Sequence, residues 1–312
     1  MNKRHLTGIL AFGAAASLAL AGCAGGSDAP ADDTTAGGEA GDTGGTATCD
    51  VVTLGFLPGW TDGLSTAYLL ENQLTRLGVD VRLQTLTEAG PLYTGLAEGD
   101  IDIYPSAWPE LTHASYMDEY GDRIEDLGAY YDNAKLTIAV PDYVDIDSLE
   151  DLAANVDRFD GKIYGIEPGA GLTRQTQESM IPAYGLEDSY ELVTSSTSAM
   201  LVQFESAVNA KEDIVVTLWR PFWANDAYPV KDLADPLGAM GDPEALHFLG
   251  TKGFSERCPE AADLIAGIQL DDATYASLED LVVNEYGEGR EAEAIVAFIE
   301  QNPGAFPTLI EG

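Results

Sequence analysis

Basic residues are scarce in this chain. Its 312 residues include 15 Lys and Arg against 53 Asp and Glu, which gives a formal net charge of −38. Nucleic-acid binding depends on basic patches that neutralise phosphates, so this composition argues against a nucleic-acid partner. The acidic excess suits a solvated protein outside the membrane, which would attract cations only weakly.

Residues that commonly carry catalysis are also few. The three histidines, His5, His113 and His247, are isolated in the sequence, and the chain contains no HExxH, GxSxG or P-loop motif. The GxGxxA match at residues 287–292 has no strand-like run before it, so it predicts no dinucleotide site. The carboxylates are abundant but unpatterned. The sequence therefore predicts neither an enzyme nor a bound metal or cofactor.

The amino terminus has the pattern of an export signal. Residues 3–5 are basic, and the apolar run at residues 9–20 is too short for a permanent membrane span. The tetrapeptide Leu-Ala-Gly-Cys that follows resembles the lipobox of bacterial lipoproteins. It predicts that residues 1–22 are removed and that Cys23 carries a lipid. Residues 23–47, rich in Gly, Ala, Thr and Asp, are typical of a disordered tether.

The remainder of the chain alternates strand-like and helix-like patterns, which is typical of α/β proteins. The predicted strands are Val51–Leu57, Val79–Leu86, Ile101–Tyr104, Leu136–Val140, Ile163–Ile166, Tyr190–Val193 and Ile214–Leu218. The predicted helices are Asp62–Leu77, Pro91–Gly99, Leu172–Tyr184, Ala199–Ala210, Pro259–Ile268, Ala273–Tyr286 and Glu291–Gln301. We read residues 48–111 and 219–312 as a first lobe and residues 112–218 as an inserted second lobe. Two crossing segments would then make a hinged clamp.

Three of the four tryptophans follow predicted strands: Trp60, Trp108 and Trp219. In open α/β sheets, ligands bind at the carboxyl ends of strands. A tryptophan face attracts a cation, and a quaternary ammonium has no N–H donor that a carboxylate could bind. The sequence therefore predicts an aromatic box for an organic cation. The alternative is that these rings, and Trp223 beside them, only fill the core.

Two further groups could face the same ligand. Asp62 is either the N-cap of the first helix or a partner for a ligand cation or hydroxyl. Residues 169–171, Gly-Ala-Gly, open a helix after a strand, where free backbone N–H groups favour an anion such as a ligand carboxylate. The alternative for this tripeptide is a simple tight turn.

Residues 50–310 resemble the substrate-binding lipoproteins of glycine betaine/choline-type ABC importers. The resemblance is carried by FLPGWTDGL, GDIDIYPSAWPELT, LTIAVPDYV, YGIEPGAGLTRQT, VVTLWRPFWANDAYPVKDLADP and LGTKGFSERCPEAADLI. It implies a two-lobe, type II periplasmic-binding-protein clamp, in which each lobe is a mixed sheet flanked by helices. It also implies that the trimethylammonium group of the ligand lies in an aromatic cage formed by Trp60, Trp108 and Trp219. Trp223 would be either a fourth wall or packing beside the cage.

The sequence departs from the family pattern at several positions. Phe222 stands where the family often has a histidine that helps to hold a carboxylate, and Arg174 either replaces that contact or lies on the surface. The segment after Trp108 also differs from the usual WLPTH-like pattern. Trp-Thr-Asp at residues 60–62 resembles the choline-binding branch, where the aspartate accepts the ligand hydroxyl.

The resemblance thus implies a non-enzymatic solute receptor for glycine betaine, with choline or carnitine as the close alternative. Its expected partners are an ABC permease and ATPase, and we expect a monomer held by its lipid on the extracellular face of the membrane, or in the periplasm if the cell has an outer membrane. An exported hydrolase and a surface adhesion lipoprotein are the competing functions. Cys49 and Cys258, the cysteines left after lipidation, are candidates for a disulfide because the chain is exported.

Overall fold

A computed structural model of the chain describes residues 49–311. The predicted signal peptide (1–22), the lipidation site Cys23 and the tether (23–47) lie outside the described residues. At the start of the described part, Cys49 is joined to Cys258 by a disulfide, with the two Cα atoms 5.0 Å apart. This bond connects the first strand to the carboxyl-terminal helices.

The described chain contains nine strands. They are β1 (Val51–Phe56), β2 (Asp80–Thr85), β3 (Ile103–Ala107), β4 (Ile124–Pro141), β5 (Lys162–Tyr164), β6 (Glu191–Val193), β7 (Val216–Arg220), β8 (Val230–Asp232) and β9 (Glu244–Thr251).

Eleven α-helices pack against these strands. They are α1 (Thr61–Arg76), α2 (Ala89–Glu98), α3 (Ala114–Tyr120), α4 (Gly171–Gln175), α5 (Ile181–Ala183), α6 (Thr197–Ala210), α7 (Ala224–Ala227), α8 (Phe254–Arg257), α9 (Pro259–Ala266), α10 (Asp272–Glu279) and α11 (Glu291–Gln301). Two 3₁₀ segments, Gly121–Arg123 and Leu149–Phe159, and two π segments, Thr176–Met180 and Asp280–Tyr286, complete the helical structure.

The strands form two groups that share β4. In the first group, parallel β2, β1 and β3 are followed by antiparallel β9, which pairs with β4 over Ile124–Ala134. In the second group, β4 pairs with β7 and β8 over Lys135–Pro141, and β5 and β6 continue the sheet beyond β7. Both parallel and antiparallel pairs occur, so the predicted mixed α/β class is confirmed. The lobe boundaries at 111/112 and 218/219 stay a prediction.

The sequence-based prediction missed the short strand β8 and two larger features of this sheet. Strand β4 begins at Ile124, twelve residues before the predicted start at Leu136, because its first part is acidic and bulged. Strand β9 was not predicted at all, although it lies between β3 and β4. Its side chains alternate between buried and half-buried over most of its length, and its partners come from distant parts of the sequence. Such long-range pairing leaves only a weak local signal.

The predicted helices α1 and α2 follow the sequence patterns closely. Helix α1 buries Ala67, Leu70 and Leu74 on one face, and α2 ends at Gly99, whose φ of 81° is in the left-handed region. A capping box of Ser148 and Asp151 begins the Leu149–Phe159 segment. Within residues 49–311, no helix is long and apolar enough to cross a membrane.

Candidate functional site

A small cavity lies between the loops of the two strand groups; the space not filled by atoms there, including the part open to solvent, is about 330 Å³. Its wall contains three tryptophans and one carboxylate but no lysine or arginine. The lining residues are Trp60, Asp62, Trp108, Thr112, His113, Leu136, Ile166, Ala170, Gly171, Leu172 and Trp219. The structure therefore brings together the three tryptophans that the sequence places after strands.

Trp60 enters the cavity from the turn between β1 and α1. Its side chain is buried, and its indole Nε1 donates a 3.0 Å hydrogen bond to a carboxylate oxygen of Glu167, which follows β5. The ring also stacks on the imidazole of His113, with 6.0 Å between ring centroids and 17° between planes. The indole is thus fixed both through its N–H group and through one ring face.

Trp108 follows β3 and is held by Asp62 in the same way. Its indole Nε1 donates to Oδ2 of Asp62 at 3.1 Å, and the hydroxyl of Ser106 donates to the same oxygen at 2.6 Å. Burial raises the pKa of the Asp62 carboxyl, while these two hydrogen bonds act in the opposite direction. The N-cap of α1 is Trp60, and Asp62 is the second residue of the helix. Asp62 therefore supports Trp108 and lines the cavity rather than capping α1.

Trp219 is the third ring of the cavity and lies near the end of β7. Strand β7 runs antiparallel to β4, which places Trp219 opposite Leu136. Behind Trp219, the ring of Phe222 stacks at a centroid distance of 3.9 Å. Trp223 is not part of the cavity wall, because its ring packs against Phe222 and Tyr228 on the far side of that stack.

The Gly-Ala-Gly segment meets the cavity with two of its three residues. Ala170 and Gly171 line it, whereas the N–H group of Gly169 donates to Glu88 at 3.3 Å and its carbonyl accepts from the hydroxyl of Tyr116 at 2.8 Å. Helix α4 begins at Gly171, so the N–H groups of its first turn have no acceptor within the helix. These groups can receive an anionic part of a ligand.

Arg174 serves a structural purpose in this arrangement. Its guanidinium donates to the backbone carbonyls of Leu111 and Thr112, at 3.2 and 3.0 Å, and it does not line the cavity. The loop that these carbonyls belong to is also held from its other side, because Glu244 accepts from the N–H groups of both residues. The loop after Trp108 is therefore fixed by one cation and one anion.

His113 is the main site residue that the sequence reading missed. It is buried in the cavity wall, and its Nδ1 accepts a 3.1 Å hydrogen bond from the backbone N–H of Trp108. Burial lowers the pKa of His113 from 6.5 to about 3, and Arg174 contributes in the same direction. The imidazole is consequently neutral at physiological pH, with its proton on Nε2. In the sequence, the signal that could have identified His113 is its position five residues after Trp108.

Glu167 and the apolar wall were missed as well. Glu167 lies behind Trp60, and the apolar side chains of Leu136, Ile166 and Leu172 complete the lining. An isolated glutamate in an acidic chain gives no signal by itself, because a solvated surface is its usual environment. Only the tertiary contact with Trp60 distinguishes it.

The chain is similar to proteins of known function. The family described as the substrate binding domain of the ABC-type glycine betaine transport system matches residues 50–301. The glycine betaine/carnitine transport binding protein GbuC of Listeria monocytogenes is 32% identical over 153 residues, which are 48% of this chain and 49% of the relative. The chain thus matches about half the length of this curated relative.

Solved structures extend the likeness over most of the chain. The glycine/betaine/L-proline-binding protein ProX from Borrelia burgdorferi is 31% identical with a TM-score of 0.74, over 81% of this chain and 93% of that one. Lactococcal OpuAC, closed on glycine betaine, is 28% identical with a TM-score of 0.74, over 81% and 96%. An ABC-transporter choline binding protein in complex with choline is 25% identical with a TM-score of 0.72, over 82% and 90%.

These likenesses confirm the predicted two-lobe periplasmic-binding-protein fold and the predicted resemblance. The matched proteins are solute-binding components of transporters and not enzymes, as the missing catalytic motifs indicated. Because the family match covers residues 50–301, this chain belongs to the family of substrate-binding domains of ABC-type glycine betaine transport systems.

Proposed function

We propose that this protein captures a small quaternary ammonium compound, glycine betaine first among them, and delivers it to an ABC importer. The observation that carries the proposal is the cavity in which Trp60, Trp108 and Trp219 meet without a lysine or arginine in the wall. Such a wall attracts a cation that is unable to donate hydrogen bonds.

Buried carboxylates strengthen the attraction for a cation. Asp62 and Glu167 accept the indole N–H groups of Trp108 and Trp60, so negative charge lies at the edge of two of the three rings. In a site with little water, this charge acts over a few ångströms with weak screening. The cage therefore favours a positively charged ligand over a neutral one of the same shape.

Other groups that line the cavity suit the carboxylate of a betaine. The first N–H groups of α4 at Gly171 and Leu172 lack helical acceptors, and neutral His113 carries its proton on Nε2. Donors of this kind would complement a zwitterion whose trimethylammonium group lies in the cage. Both ends of glycine betaine would then have partners in the cavity wall, and Arg174 would not be one of them.

Choline is the second candidate, and Asp62 is the observation that favours it. This carboxylate lines the cavity directly, and the hydroxyl of Ser106 and the indole N–H of Trp108 both donate to its Oδ2. Oδ1 could accept a ligand hydroxyl, which choline has and glycine betaine does not. Phe222, which stacks behind Trp219, offers no donor for a carboxylate.

Calorimetric titration of glycine betaine, choline and 3,3-dimethylbutanol, the neutral carbon analogue of choline, tests the proposal. We expect the first or second ligand to bind at least about tenfold more tightly than the analogue, because cation–π contacts contribute ~0.5–2 kcal/mol each. Equal binding of choline and the analogue, together with no binding of glycine betaine, would overturn the cation cage.

The transport setting is part of the same proposal. We propose that an ABC permease and ATPase receive the ligand, that the protein acts as a monomer, and that a lipid on Cys23 holds it at the extracellular face of the membrane or in the periplasm. The support is the family and the lipobox-like sequence. A Cys23→Ser variant should leave the membrane fraction of the producing cell. Retention of that variant in the membrane would contradict lipid anchoring at this residue.

A further inference from the structure

We infer that Glu167 is a positioning residue that ties the cage tryptophan Trp60 to the second strand group and thereby sets how long a ligand is retained. Glu167 follows β5 and its side chain is 8% exposed. Its carboxylate accepts three hydrogen bonds, one from Trp60 and two from Thr197. Among the described residues, no lysine or arginine forms a hydrogen bond or ion pair with it.

The three donors come from different parts of the fold. Thr197 is the first residue of α6, and its backbone N–H and its hydroxyl each donate to Glu167 at 2.8 Å. Both residues follow strands of the second group. Trp60 belongs instead to the turn after β1, in the first group, and donates at 3.0 Å. If the groups separate to release a ligand, the Trp60 bond is the one that must break.

The neighbouring backbone confirms how closely the two groups meet at this point. A Cβ atom on Gly59, beside Trp60, would lie 3.3 Å from Cβ of Thr197. The Trp60 turn therefore rests on the start of α6, with Glu167 beneath both. While this contact holds, the indole is fixed through its N–H group as well as through the stack on His113.

A carboxylate is the group that this position requires. Three donors converge on two oxygens, and an ionised carboxylate accepts them all without offering a donor in return. In glutamine, the NH₂ group would face one of these three donors and could not accept its hydrogen bond. Breaking a hydrogen bond to a charged group changes a binding equilibrium by about ten- to a hundredfold. Since the bond forms between the groups, we expect most of this change in the dissociation rate.

The inference rests on the proposed function and is tested by stopped-flow tryptophan fluorescence with glycine betaine, or with choline if that ligand binds more tightly. We expect Glu167→Gln to raise the dissociation rate about tenfold or more and to alter the association rate about threefold or less. Thr197→Val is the matched control. It removes a hydrogen bond to the same carboxylate but leaves the Trp60 bond, so its dissociation rate should rise much less than that of Glu167→Gln.

A double-mutant cycle with Trp60→Phe separates positioning from a purely local role. Trp60→Phe removes the indole donor, so adding Glu167→Gln to it should produce much less than the tenfold change seen in the wild-type background. Independent effects of the two substitutions would overturn the inference, as would an equal rise in the dissociation rate for Thr197→Val. Absence of binding by the wild type would overturn the proposed function as well, whereas normal wild-type binding with an unaltered Glu167→Gln rate overturns this inference alone.

Discussion

The glycine at position 171 gives the sharpest test of whether the observed contact between the strand groups is the ligand-bound arrangement. A Cβ atom on Gly171 would lie 1.9 Å from the carbonyl oxygen of Thr112 and 2.5 Å from its Cγ2. Thr112 belongs to the loop after β3, in the first group, whereas Gly171 begins α4, in the second. Gly171→Ala should therefore oppose their approach without disturbing either group by itself.

The expected loss of affinity follows from the contact that the added methyl group would make. Overpacking by one methyl group costs about 1–3 kcal/mol, which corresponds to about a 5- to 150-fold loss of affinity. We expect the upper part of this range, because the obstacle is a backbone carbonyl that Arg174 also holds, at 3.0 Å. The ligand-free protein should be no less stable, since alanine is a better helix residue than glycine.

Calorimetry and thermal denaturation measure the two effects separately. The dissociation constant should rise, and the ligand-induced increase in melting temperature should shrink, while the melting temperature without ligand stays the same or increases. Gly90→Ala is the matched control, because its Cβ would meet nothing closer than 3.8 Å. Equal affinities for the two variants would refute the reasoning that Gly171 is required by the approach of the Thr112 loop.

Three further predictions concern the buried groups around the cage. Asp62→Asn should weaken glycine betaine and choline alike, by about 1.5–3 kcal/mol in calorimetry, because Trp108 loses its charged acceptor; a loss for choline alone would instead assign Asp62 to the ligand hydroxyl. Trp219→Ala should lower affinity at least about tenfold, whereas Trp223→Ala, outside the cavity, should lower it much less; equal losses would contradict the assigned wall. Burial raises the pKa of Glu279 from 4.5 to about 8, so its contribution to stability is present at low pH and is lost as pH rises from 4.5 through 8. Glu279→Gln should therefore raise the unfolding free energy at pH 8 relative to wild type, by about 1.4 kcal/mol for each pH unit between 4.5 and 8. At pH 4.5 the substitution should change the unfolding free energy little. An equal effect of the substitution at both pH values in urea titrations would refute this prediction.

The features that the sequence revealed are those with a local cause. Apolar periodicity places α1, and a β-branched run places β7, because both patterns report burial along a single segment. Trp60, Trp108 and Trp219 could be grouped because each follows a strand. The sequence pattern does not show which carboxylate accepts the N–H group of which indole.

The missed features depend on contacts between distant residues. Glu167 and Trp60 are 107 positions apart, and Glu244 reaches the Thr112 loop across 132 positions. Strand β9 takes its place only because β3 and β4 flank it on either side. His113 gave a partial signal through its spacing from Trp108, but its neutral state follows from burial, which single-residue patterns do not report.

The disulfide determines how a pulling force on the segment before Cys49 would be transmitted to the folded residues. If a lipid anchors the chain through the segment before Cys49, tension on that segment reaches the fold first at this residue. Cys49 passes the load through sulfur to Cys258, at the junction of α8 and α9. Without the bond, the same pull would act along β1 and peel its end from its partner β2. The bond would thus protect the strand that leads to Trp60, so the cage would keep its geometry under a force applied before Cys49.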